Sequence, residues 1–69
     1  MLKIYIEGMT NERCLPRVKA ALGDLEGMHE IKEMNFAEKY VVVDCSTDKE
    51  TLRAAISDEG YNVIKIEQN

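Results

Sequence analysis

Sixty-nine residues leave room for one hydrophobic core, so residues 1–69 read as a single domain with no deep, water-excluding catalytic cavity. At 45% hydrophobic and 32% charged residues, with four Gly and one Pro, the composition excludes disorder and low complexity. The formal charge of −4, with nine Lys and Arg scattered among thirteen acids, argues against nucleic acid and suits a partner with a basic docking patch.

No run approaches the roughly 20 apolar residues of a membrane span, which argues against membrane insertion. No signal peptide opens the sequence, so the expected location is cytoplasmic. Two cysteines, Cys14 and Cys45, are too few for a disulfide framework and fit a reducing compartment.

In chain order, residues 2–7 alternate apolar and less apolar side chains and predict a strand with Leu2, Ile4 and Ile6 toward the core. Gly8 breaks that pattern, and residues 9–13 form a polar loop. Val18, Ala21, Leu22 and Leu25 then recur at helical spacing and predict a helix over 14–25. Pro16 lacks an N–H and belongs in a first turn, which fixes the helix start near Arg13 or Cys14, with Gly23 or Gly27 near its end.

Residues 30–36 and 40–45 predict a hairpin around Ala37-Glu38-Lys39. Val41, Val43 and Cys45 share one face of its second arm; Tyr40, Val42 and Asp44 share the other. Ile31 and Met34 both look like core residues but have opposite parity, which calls for a bulge near Lys32-Glu33 or an outward Ile31. Thr47-Asp48-Lys49-Glu50 carries a capping-box pattern with Thr47 as the cap. The helix it opens is expected to bury Leu52, Ala55 and Ile56 and to end at Gly60. Residues 61–66 predict a last strand. Right-handed crossovers turn this order into a four-stranded antiparallel sheet with both helices on one face, the ferredoxin-like βαββαβ arrangement of the α+β class.

The loop after the first strand reads Gly8-Met9-Thr10-Asn11-Glu12-Arg13-Cys14. With Met34-Asn35-Phe36, Val41-Val42-Val43-Asp44, Ala55-Ile56 and Glu59-Gly60-Tyr61 in matching order, the whole chain resembles the heavy-metal-associated domains. These include copper chaperones and the N-terminal modules of metal-pumping ATPases. The family's loop is G-M-x-C-x-x-C. Gly8, Met9 and Thr10 keep its register, Cys14 stands at the second cysteine, and Asn11 stands where the first belongs.

What the resemblance implies is a small carrier of Cu(I) or another soft metal, handing its cargo to a metal-transporting ATPase or another metal-handling protein. Two thiolates grip Cu(I) in a near-linear, exchangeable geometry. An Asn amide is a hard, neutral donor, so one remaining thiolate loses the chelate and affinity falls by many orders of magnitude. Cys14 then needs a second chain or partner, which allows a metal- or disulfide-bridged homodimer. A helix start and Arg13 favour negative charge on its sulfur, and Glu12 opposes it.

Met9 offers a thioether, though in this family the matching Met packs beneath the loop. Tyr61 is expected beside the loop, where the family's bacterial chaperones carry a Tyr near the metal, or as a cap on the core edge. Cys45 closes the third strand at the opposite end of the sheet and reads as a buried structural thiol; His29, also distant, reads as a solvated residue. No carboxylate pair, nucleophile–base set or phosphate loop is present, so enzyme activity is not expected.

Two other readings compete. One is a metal-independent protein–protein interaction module on the same fold, docking through Tyr5, Tyr40 and Val42 on the uncovered sheet face. The other makes Cys14 a lone redox nucleophile forming mixed disulfides, but there is no second thiol to resolve them.

Overall fold

The expected alternation holds from the first strand: β1 spans Leu2–Glu7, with Leu2, Ile4 and Ile6 buried and Lys3 and Tyr5 half-buried on the other face. The computed structural model describes residues 1–8 and 13–68. Helix α1 follows at Cys14–Gly23, with Pro16 in its first turn where a missing N–H costs no hydrogen bond. It ends before Leu25, which lies outside the helix yet still packs on the core.

The hairpin strands are β2 (Met28–Asn35) and β3 (Tyr40–Cys45), the first starting two residues earlier than the pattern suggests. Its register slips between Ile31 and Glu33, so Ile31 faces Val43 and Met34 faces Val41, and both pack on the core. The bulge resolves the parity conflict, as expected of an inserted residue.

Helix α2 spans Lys49–Asp58 and buries Leu52 and Ile56, with Ala55 half-buried. Its cap is a correction to the sequence reading. Asp48, not Thr47, is the N-cap and accepts from the Thr51 N–H at 2.8 Å. The Thr47 hydroxyl instead donates to the Glu26 carbonyl at 2.8 Å, tying the start of α2 to the end of the α1 connection. The last strand, β4, runs Asn62–Gln68.

The sheet order is β2-β3-β1-β4 with every pairing antiparallel. The inward side chains of β1 and β3 meet Val18 and Leu22 of α1 and Leu52 and Ile56 of α2, so both helices cover one face. This is the ferredoxin-like βαββαβ fold. The other face stays open. There Tyr5 and Tyr40 meet edge to face at 6.0 Å between centroids, with the Lys3 amine 4.1 Å from the Tyr40 ring and Lys65 4.7 Å from that of Tyr5.

Candidate functional site

Three pieces of chain meet where β1 ends, α1 begins and β4 begins. Gly8 closes β1 with φ +102°, a conformation that side chains with a Cβ rarely adopt. A Cβ built there would lie 3.5 Å from the Tyr61 ring, an ordinary contact, so the backbone conformation and not the space is what calls for glycine.

Cys14 is the first residue of α1 and is 9% exposed, at the rim of the core cluster. The N-cap, Arg13, has helical dihedrals and makes no side-chain cap bond, and the first turn holds no acid. The positive end of the helix therefore acts on the Cys14 sulfur without local acidic compensation inside the helix.

Tyr61 reaches this point because α2 ends in a Schellman motif. Gly60, at φ +91°, donates its N–H to Ser57 O at 2.9 Å, and Tyr61 donates to Ile56 O at 3.3 Å. The paired bonds turn the chain sharply and deliver a 7% exposed Tyr61 ring between Gly8 and α1. The Cys14 thiol beside its hydroxyl, together with burial, pushes the Tyr61 hydroxyl above the usual tyrosine range. The charge of Arg17, one turn into α1, acts on the same hydroxyl in the opposite direction.

The structure thus brings together Cys14 and Tyr61 of the expected set. Met9 and Asn11 lie outside the described residues. Arg17 is a neighbour that sequence reasoning missed; its position three residues after Cys14, on the same helix face, was the available signal.

Cys45 lies at the opposite pole, paired with Met28 beyond the start of β1. It is half-buried rather than buried, because a surface cavity lined by Met1, Leu2, Thr47 and Gln68 reaches it. His29 is exposed on β2. Among the described residues no three His, Cys, Asp or Glu side chains converge on a point that could hold a metal ion. Within the described part of the site the soft donor is therefore one thiol. Among the described residues no helix is long and apolar enough to cross a membrane.

The profile of the heavy-metal-associated domain matches residues 3–62. The chain is 36% identical over 63 residues to a copper chaperone, CopZ, of Staphylococcus epidermidis, covering 87% of this chain and 91% of that protein. Among solved structures, a CopZ metallochaperone superposes with a TM-score of 0.83 at 25% identity, covering 93% of this chain and 100% of the other. Oxidized MerP from Ralstonia metallidurans CH34 gives 0.86 at 26% identity, covering 99% and 97%.

Proposed function

Because the chain belongs to the heavy-metal-associated domain family, we propose that it is a small, non-enzymatic soft-metal carrier whose site holds one thiolate, Cys14. The cargo is Cu(I) or a similarly soft ion. A second chain, or a cytoplasmic metal-handling partner such as a metal-transporting ATPase, completes the coordination. The whole of residues 1–69 acts as one domain in this reading.

The observation that carries it is the meeting of Cys14 and Tyr61 at the start of α1, beside the loop that holds Asn11 and Met9. Soft d¹⁰ ions prefer thiolates and accept two-coordinate geometry. One thiolate supplies half of that set, and Cys45 at the far pole cannot supply the rest. The second ligand is therefore external, either the same Cys14 of another copy or a partner's thiolate. Tyr61, packed beside Cys14, fixes the edge of the site at which the sulfur sits.

The test is titration with Cu(I) under reducing conditions, read by native mass spectrometry and by competition with a chromophoric Cu(I) chelator. Wild type should bind one ion per two chains, and stripping the metal with excess chelator should return monomer. Cys14→Ser should lose binding. Asn11→Cys should bind one-to-one, tighter by several orders of magnitude. A wild-type chain that stays metal-free under conditions where Asn11→Cys loads, and that behaves like Cys14→Ser, sinks the one-thiolate carrier.

A second reading has its own observation. The Tyr5–Tyr40 pair, flanked by Lys3 and Lys65 on a face no helix covers, is the kind of surface used for protein docking. It would make the chain a metal-independent interaction module. Partner capture that survives both chelator and Cys14→Ser, but not Tyr5→Ala, would favour that reading over the carrier.

A further inference from the structure

The two outer strands of the sheet are not protected alike. On one side β2 is interrupted twice, between Met28 and Glu30 and between Ile31 and Glu33, and such breaks blunt an edge against further pairing. On the other side β4 has one irregularity, at Ile64 between Val63 and Lys65, and pairs with β1 without a break from Lys65 to Gln68. It also carries the most exposed large apolar residue of the described chain, Ile64, at 58%.

The direction of the β4 backbone groups follows from one hydrogen bond. Ile6 donates its N–H to Lys39 O on the β3 side, and along a strand these groups alternate sides. Leu2, Ile4 and Ile6 therefore turn toward β3, and Lys3 and Tyr5 turn toward β4. Their partners Glu67 and Lys65 turn back toward β1. Ile66, between them, points its N–H and C=O out of the sheet edge.

We propose that this edge binds the β4 edge of a second copy of the chain, antiparallel, about a two-fold axis at Ile66. Ile66 and its counterpart then form a hydrogen-bonded pair. The flanking positions are non-hydrogen-bonded pairs, in which side chains stand closest. In that register Lys65 faces the partner's Glu67, and Glu67 faces the partner's Lys65.

Charge selects this register from its neighbours. Centring on Lys65 sets two lysines opposite each other, and centring on Glu67 sets two glutamates opposite each other, both unfavourable. A shift by one residue between the two copies turns the side chains of one strand to the wrong face. Within one chain Lys65 and Glu67 are 3.9 Å apart and both about half exposed, so each is open to a second partner. A lone edge lysine discourages pairing; a lysine with a glutamate two residues on makes the edge complementary to itself.

The product is a continuous eight-stranded sheet. Antiparallel pairing puts the start of one β4 against the end of the other, so the two Cys14–Tyr61 sites lie at opposite ends. This dimer is distinct from a metal- or disulfide-bridged one and stands whether or not the carrier reading holds.

Sedimentation equilibrium of the full chain, from micromolar to millimolar, with chelator and a thiol reductant present, tests it. A reversible dimer is expected that weakens as salt rises. Glu67→Lys, which turns two attractions into two repulsions, should weaken it by about tenfold or more. The exchange Lys65→Glu with Glu67→Lys should restore it, which also shows that these positions tolerate the changes. Gln68→Pro, which removes an outward N–H and spares the monomer, should weaken it as well. A chain that is monomeric at every concentration overturns the proposal. So does a dimer unchanged by Glu67→Lys, or one abolished by Cys14→Ser.

Discussion

Tyr61 is fixed at three points: its N–H donates to Ile56 O, its ring lies beside Gly8, and its hydroxyl sits beside Cys14. The neighbouring Cys14, with burial, raises its proton affinity in the folded chain above that of the unfolded chain. A raised value means the contribution to stability is complete below the unfolded value, near 10, and is lost as pH climbs through the folded one. Tyr61→Phe removes the hydroxyl and its pH dependence together. The variant should be less stable than wild type at pH 8, and the gap in urea midpoint should close as pH rises past 10. Parallel pH profiles for the two proteins would show that the hydroxyl carries no stability. The meeting of Cys14 with Tyr61 was legible in the sequence, since a strand end, a helix start and a post-helix Tyr converge in this topology. Arg17 was not, because a charged residue on an exposed helical turn looks like any solvated side chain until its neighbour across the loop is known.

At the scale of elements, the start of α2 shows how two good caps compete. The pattern Thr47-Asp48-Lys49-Glu50, a hydroxyl with a Glu three residues on, pointed to Thr47, while the residue beside it, Asp48, is itself a good cap. The contest is decided by tertiary structure: the Glu26 carbonyl takes the Thr47 hydroxyl, leaving Asp48 to receive the Thr51 N–H. The bulge in β2 was legible for the opposite reason, because two apolar residues of wrong parity allow few solutions. The division of labour between Thr47 and Asp48 is measurable. Bonds from Thr51 hold the Asp48 carboxyl below the usual carboxylate range. Its stabilisation is therefore present above the unfolded value, near 4, and fades as pH falls through the folded one. Asp48→Ala should lower the urea midpoint at pH 7, Asp48→Asn by less, and the deficit of Asp48→Ala should shrink below about pH 4. Thr47→Ala should cost about 1 kcal/mol at either pH, since its bond involves no ionisable group. Equal pH profiles for Asp48→Ala and Thr47→Ala would return the cap to Thr47.

For the molecule as a whole, the pairing order sets two separate poles. Leu2 faces Val43 in β1–β3, so Cys45 lies beyond the start of β1, while Cys14 follows after its end at Glu7. A six-residue strand rises about 20 Å, and the molecule is 28 Å along its longest axis. A disulfide needs Cα atoms within about 7 Å. Bridging the two thiols would require tearing β1 from the sheet and taking Ile4 and Ile6, both fully buried, out of the core. This separation followed from the element order alone; the half-burial of Cys45 did not, because it depends on how Met1, Thr47 and Gln68 fill the corner. Mild oxidation of the folded protein should therefore produce chain-to-chain disulfides and no monomer lighter by two hydrogens. Mass spectrometry under non-reducing conditions reads this directly, with Cys14→Ser and Cys45→Ser assigning each bridge. An intrachain disulfide formed without denaturant would mean that the poles approach each other in solution, and Cys45 would have to be readmitted as a ligand beside Cys14.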